Sequence, residues 1–232
     1  MKVSIVGLNR AYFEREIKKS DSLTFSKDDP DVVIAFGGDG TLLYGETKYP
    51  GVPKLFVRHS SKCKKCSNHN YKKVIDSLVN DDFKIKEFVK IKASVRGNEL
   101  VGLNDVNIHY KPPCAIRLNI DVDKKNIAKE IISDGIVVST SYGSSGYFYS
   151  ITRKTFSKGL GIAFNNPVKP MDYKIIPETS VINVEVVRGP GVMCVDCNPK
   201  VIALKDGDII KIQKSSHVAR ILMLKGKRMV KI

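Results

Sequence analysis

Five residues, Gly37-Gly38-Asp39-Gly40-Thr41, combine two requirements of phosphate chemistry: a backbone able to bend around an anion and a carboxylate inside the bend. They close the apolar run Asp31-Val32-Val33-Ile34-Ala35-Phe36, which reads as a buried parallel strand opening at its carboxyl end into a ligand crevice. Glycines let the N–H groups of residues 37 to 41 converge on phosphate oxygens. A carboxylate beside such a cradle repels phosphate unless a magnesium ion or a proton-bearing hydroxyl lies between them, which is the arrangement of phosphoryl transfer. Asp39 is therefore the first catalytic candidate. The alternative is a tight Asp-Gly turn joining two strands.

A second stretch, Asp134 to Tyr147, runs from an apolar strand into a loop of hydroxyls and glycines, Ser139-Thr140-Ser141-Tyr142-Gly143-Ser144-Ser145-Gly146. Small donors at the start of a short helix from Phe148 form a polar binding surface; an ordinary Ser/Gly loop is the other reading. Two cysteine pairs share one short spacing, Cys63-Lys-Lys-Cys66 and Cys194-Val-Asp-Cys197. Each has the spacing of a zinc knuckle, and together they supply four thiolates for a structural site that would clamp the loop after residue 57 onto the second domain. Local disulfides or unrelated buried thiols are the alternatives, with His69 a substitute ligand. Cys114, alone in an apolar stretch, is expected in the core. His59, His69, His109 and His217 lack triad spacing and receive no catalytic role.

These residues need elements to hold them. Lys2 to Gly7 reads as a first strand, Arg10 to Lys19 as an amphipathic helix with Phe13 and Ile17 inward, Val52 to Val57 as a third strand and Tyr71 to Asn80 as a further helix. Beyond about residue 83 alternating runs replace helices: Phe83 to Ala93, Glu99 to Ile108 and Ala115 to Val122, with a hairpin turn at Gly97-Asn98, then Gly135 to Thr140, Val181 to Val187, Val192 to Val195, Ile209 to Gln213 and Val218 to Leu224. The expected fold is therefore α/β plus all-β, with an α/β domain over 1–88 and a β-rich domain over 89–232 whose last residues return to the first.

With 232 residues, 42% hydrophobic and 27% charged, the chain has the composition of a soluble globular protein. A formal charge of +15 favours anionic partners, but the lysines are scattered, so no specific nucleic-acid groove is expected. No segment is apolar for long enough to cross a bilayer, and the amino terminus does not read as a secretory signal, so a cytoplasmic location is expected.

The glycine turn, Asn104-Asp105 within Leu103 to His109, and the Asp134 to Tyr147 segment together resemble the three signatures of the NAD kinase family: GGDGT, an Asn-Glu pair, and DG-(apolar)-STPTGSTAY. The similarity runs from residue 1 to about residue 215. The resemblance implies a Rossmann-like amino-terminal domain, a β-rich carboxyl-terminal domain, an active site between them, and transfer of a phosphoryl group from ATP or polyphosphate to the 2′-hydroxyl of the adenosine ribose of NAD. It makes Asp39 the acceptor of that hydroxyl's proton and Gly37, Gly38, Gly40 and Thr41 the phosphate holders. Asn104 and Asp105 would hydrogen-bond the dinucleotide, Ser144, Ser145 and Tyr147 would line its pocket, and Asp134 would touch a ligand bound mainly by a neighbouring subunit. Mg²⁺ would arrive with ATP, and a homodimer or homotetramer built through the second domain is implied.

The departures are Asp105 for Glu, Tyr142 and Gly146 in the third signature, a missing glycine pair after it, and Arg58 to Cys66 in place of a second glycine-rich loop. The GGDGT turn alone is shared with diacylglycerol and sphingosine kinases, so a lipid kinase is one alternative. A catalytically inactive dinucleotide-binding sensor is the other.

Overall fold

In a computed structural model of the chain, residues 1–8, 10–58 and 71–224 are described. They form two compact units, Met1–Phe88 with the described residues from Val218 onward, and Val89–His217. Cys63 and Cys66 fall outside the described residues, as do His59 and His69.

The first unit is α/β. Its elements are β1 (Lys2–Gly7), α1 (Arg10–Lys18), β2 (Thr24–Phe25), β3 (Val32–Gly37), α2 (Asp39–Lys48), β4 (Lys54–Arg58) and α3 (Tyr71–Val79). The strands β2, β1, β3 and β4 are neighbours in that order and all parallel, with Ile5 opposite Ile34 and Ile34 opposite Leu55. Parallel strands covered on both faces must be apolar throughout, and β3 is buried at all six positions. Phe13 and Ile17 of α1 and Val74 and Leu78 of α3 complete one core with Ile5, Ile34, Phe36 and Leu55.

Helix α2 was not legible in the sequence. Its buried residues are Leu42, Leu43, Gly45 and Glu46, so a glycine and a carboxylate occupy positions where apolar side chains would have revealed the period. Glu46 is 3% exposed and forms an ion pair with Lys54 of β4, which is fully buried. Lys54 also donates to the carbonyl of Tyr49. The Tyr49 hydroxyl accepts from Ser4 Oγ at 3.0 Å and donates to the carbonyl of Lys27 at 3.0 Å.

The chain leaves this unit along β5 (Phe83–Val95) and continues through β6 (Asn98–Gly102), β7 (Asp105–Tyr110), β8 (Ile116–Val122), β9 (Lys125–Ser133), β10 (Gly135–Thr140), α4 (Tyr147–Thr152), β11 (Leu160–Asn165), β12 (Lys174–Ile176), β13 (Ile182–Arg188), β14 (Gly191–Val195), β15 (Ile202–Leu204) and β16 (Ile209–Leu224). One six-stranded sheet has the order β12-β11-β10-β7-β14-β15. Facing it, β16, β13, β8 and β9 pair antiparallel. Ile108, Ile136, Val138 and Met193 of the first sheet share one apolar core with Ile116, Leu118, Val184 and Ile212 of the second. The end of β16 lies parallel to β4, with Ile221 opposite Lys54.

Several boundaries differ from the sequence reading. The β5–β6 turn is Arg96-Gly97, both with positive φ (48° and 75°), one residue earlier than expected, because a two-residue turn of this hand needs two left-handed positions. The run Glu99 to Ile108 divides at Leu103-Asn104 into β6 and β7, and the last two expected strands are one, β16. Cys114 is exposed in the turn before β8 rather than in the core. Among the described residues no helix is long and apolar enough to cross a membrane.

Candidate active site

In the first unit, Gly37 ends β3 and Gly38 caps α2 in extended conformation, without a side-chain cap. Gly37 has φ +156°, and a Cβ there would lie 2.3 Å from Thr41 Oγ1, so only glycine lets the strand pass this closely into the helix. The Thr41 N–H donates to the Gly38 carbonyl at 3.0 Å. Gly38, Asp39 and Gly40 are exposed. Asp39 is the first residue of α2, where the helix dipole favours negative charge. Gly38, Asp39 and Gly40 thus stand exposed at the carboxyl edge of a parallel sheet and at the amino terminus of a helix, the position at which such folds meet anionic ligands.

In the second unit, strand periodicity collects the polar residues on one face of the six-stranded sheet. Asp105, Asn107 and His109 alternate along β7. Ser139 and Val137 of β10 stand opposite Asp105 and Asn107 on one side, and Cys194 of β14 stands opposite Asn107 on the other. Helix α4 packs on this face through Phe148, against Val137 and Ala163. The Tyr147 ring stacks on His109 with centroids 5.7 Å apart and planes 17° from parallel. Asn165 donates to the Tyr147 hydroxyl at 3.1 Å, and Asn166 donates to Asp134 Oδ2 at 3.1 Å.

Asp105 is 5% exposed and accepts from Asn107 Nδ2 at 2.7 Å. Burial, reinforced by the Asp196 carboxylate, raises its pKa to about 7 despite the Asn107 bond. Burial also lowers the pKa of His109 and raises those of Tyr147, Cys194 and Cys197. The buried Oδ1 atoms of Asn104 and Asn107 have no hydrogen-bond partner among the described residues. Buried acceptors left open in this way are where a ligand's donors belong.

The elevated Asp105 pKa has a thermodynamic consequence. An unfolded aspartate ionises near 3.8 and the folded one near 7, so the folded state binds more protons between those values. The contribution of Asp105 to stability therefore falls by about 4 kcal/mol as pH rises from roughly 4 to 7, and is flat above. Asp105→Asn should abolish that part of the slope. Denaturant titrations at pH 4.5 and 7.5 should show the variant gaining on wild type at the higher pH; equal gaps at both would refute the assignment.

The structure brings Asn104, Asp105, Asp134 and Tyr147 into one neighbourhood, with Asp105 and Asp134 both acting on the Tyr147 hydroxyl. Asn104 is drawn in by Gly143, where a Cβ would lie 2.3 Å from the Asn104 carbonyl oxygen. Ser145 is exposed. Ser144 is fully buried, and its hydroxyl lies 2.8 Å from the Ser141 carbonyl and 3.1 Å from that of Phe156, so it holds the loop from within. Cys194 is half-buried beside Asp105, and Cys197 is exposed on the following turn. Among the described residues no group of three or more His, Cys, Asp or Glu side chains could hold a metal.

The structure adds Asn107, His109, Thr140 and Asp196 to this neighbourhood. The first two follow Asp105 at the strand period of two and were readable on that ground. Thr140 lies in the hydroxyl-rich stretch, where its own hydroxyl holds the Leu103 carbonyl, and Asp196 carries no local signal.

Two solved structures share this fold. One is the NAD kinase from Archaeoglobus fulgidus in complex with ATP, with TM-score 0.77, 18% identity, and coverage of 97% of this chain and 94% of that one. The other is yeast NADH kinase complexed with NADH, with TM-score 0.85, 16% identity, and coverage of 98% and 84%. The family profile for the ATP-NAD kinase C-terminal domain matches residues 103–224. Among curated relatives, the NAD kinase of Sulfurisphaera tokodaii is 30% identical over 183 residues, covering 75% of this chain and 72% of that protein. The NAD kinase of Saccharolobus solfataricus is 28% identical over 237 residues, covering 96% and 93%. The chain belongs to the NAD kinase family.

Proposed function

We infer that this protein is an NAD kinase, an enzyme that phosphorylates the 2′-hydroxyl of the adenosine ribose of NAD to form NADP. The observation that carries the reading is the polar face of the second unit, where Asp105 and the open Asn104 and Asn107 oxygens await a ligand's donors in a chain of this family.

A ribose hydroxyl is a weak nucleophile, so its phosphorylation depends on positioning, a proton acceptor and neutralised phosphate charge. Asn104 and Asp105 would hydrogen-bond the dinucleotide. With a pKa of about 7, Asp105 is able to donate as an acid or accept as a carboxylate near neutrality. Tyr147, braced against His109, would offer its ring to a base, Ser145 would line the pocket, and Ser144 would act through the loop it holds. Gly37, Gly38, Gly40 and Thr41 would hold donor phosphates, and Asp39 would accept the hydroxyl proton. Magnesium carried by ATP would neutralise phosphate charge; an acidic residue in the cradle fits it better than a bare anion.

The family assignment sets the lipid kinase reading aside. The domain roles (phosphate donor over 1–88, dinucleotide binding over 89–232), a homo-oligomer with Asp134 at a neighbour's ligand, and a cytoplasmic location remain part of this proposal. So does a structural zinc on Cys63, Cys66, Cys194 and Cys197; burial disfavours the thiolate at Cys194 and Cys197, which a bound cation would offset.

The test is NADP formation from NAD, Mg²⁺ and either ATP or polyphosphate, alongside NAD-induced thermal stabilisation. Product with either donor is expected. A protein that binds NAD and yields none with both is the dinucleotide sensor instead.

A further inference from the structure

The Asn104-Asp105 pair stands where β6 breaks from β7, and a break in a sheet must find new partners for its backbone groups. All three N–H groups go to one side chain. Asp196 Oδ2 accepts from Leu103 at 2.7 Å, and Oδ1 accepts from Asn104 at 2.8 Å and from Asp105 at 3.1 Å. The three carbonyls are occupied as well. That of Leu103 accepts from Thr140 Oγ1 at 2.6 Å, that of Asn104 from the Thr140 N–H at 2.8 Å and Ser139 Oγ at 3.2 Å, and that of Asp105 from the Asp196 N–H at 3.1 Å. Asp196 itself adopts a left-handed conformation, φ 50°, in the turn after β14. Gly102 packs on the carboxylate so closely that a Cβ there would lie 2.8 Å from Oδ1.

We propose that Asp196 is the positioning residue of the dinucleotide site: by gathering three consecutive N–H groups it sets Asn104 and Asp105 in ligand-ready geometry before any ligand binds. This rests on the NAD kinase reading above. The requirement is for a carboxylate rather than any polar side chain, because two acceptor oxygens must serve three donors. A carboxamide offers one oxygen and turns an NH₂ group toward an N–H. An error in the placement of a hydrogen-bonding pair is felt as lost affinity and lost rate, since small displacements of positioning groups weaken catalysis by large factors.

Asp196→Asn should weaken the Kd for NAD and lower kcat/KM for NAD by about tenfold or more, while KM for ATP stays within about twofold of wild type. A merely structural role would not separate the two substrates. A folded Asp196→Asn that binds NAD within about twofold of wild type overturns the proposal. If the wild type itself fails to bind NAD, the kinase reading falls and not this one, which amide exchange then judges. The same measurement on the wild type covers a variant that does not fold. The Asn104 and Asp105 amides should be protected about 100-fold or more without ligand and change little when NAD is added; exchange at free-peptide rates in the ligand-free protein sinks the idea.

Discussion

Replacing Asp39 by Asn should reduce NADP formation by about 10²–10⁴-fold, the range a positioned proton acceptor contributes. The substitution is nearly isosteric and removes the carboxylate's basicity while keeping its shape. Asp39 is exposed at the first position of α2. The interaction with the helix dipole that the charge supplies is worth about 0.3–1 kcal/mol. Removing a negative charge from the phosphate cradle should leave ATP affinity equal or improved. A folded Asp39→Asn protein with unchanged NAD and ATP binding and almost no turnover is thus the expected result, read from parallel binding and initial-rate measurements. Activity within about tenfold of wild type would show that the proton leaves by another route and that Asp39 serves only the fold.

The second large effect concerns stability. Lys54→Met should destabilise the protein by about 3–5 kcal/mol, because Glu46 keeps its buried position and loses the ammonium it pairs with. The Tyr49 carbonyl loses a donor in the same step. The double variant Lys54→Met with Glu46→Leu should recover most of the loss, since replacing a buried ion pair by apolar groups of similar volume is often neutral or better. Urea denaturation of the single and double variants measures both. If the double variant is no more stable than Lys54→Met alone, the loss of the Glu46–Lys54 pair is not the cause. The pair also bears on function: Glu46 belongs to the helix whose first residue is Asp39, so loosening its seat on β4 loosens the cradle.

Much of the chemistry is legible in the residues alone. The glycine turn and the Asp134 to Tyr147 segment are each local: a strand ends, a loop of small residues begins, and the residue types state what they can bind, whereas the Asn104-Asp105 pair stands out only through the resemblance to the NAD kinase family. The same holds for α1, α3 and most β-strands, whose apolar period is written within about ten residues. Tertiary structure decided the remainder. Helix α2 hid because its buried face includes Gly45 and an ion-paired Glu46, and pairing with Lys54 is a relation between elements that periodicity cannot show. Asp196 reaches amides 91 to 93 positions earlier in the chain, through the pairing of β14 with β7. His109 gained its place from Tyr147, 38 positions later, stacked over the same sheet face. Patterns read along a chain report burial and turns, which are set by near neighbours; the partner of a buried carboxylate or the ring against a ring is set by strand register. In this protein the sequence by itself determined which residues could do the chemistry, and the antiparallel pairing of β7 with β10 and β14 decided which backbone and side-chain groups hold them in place.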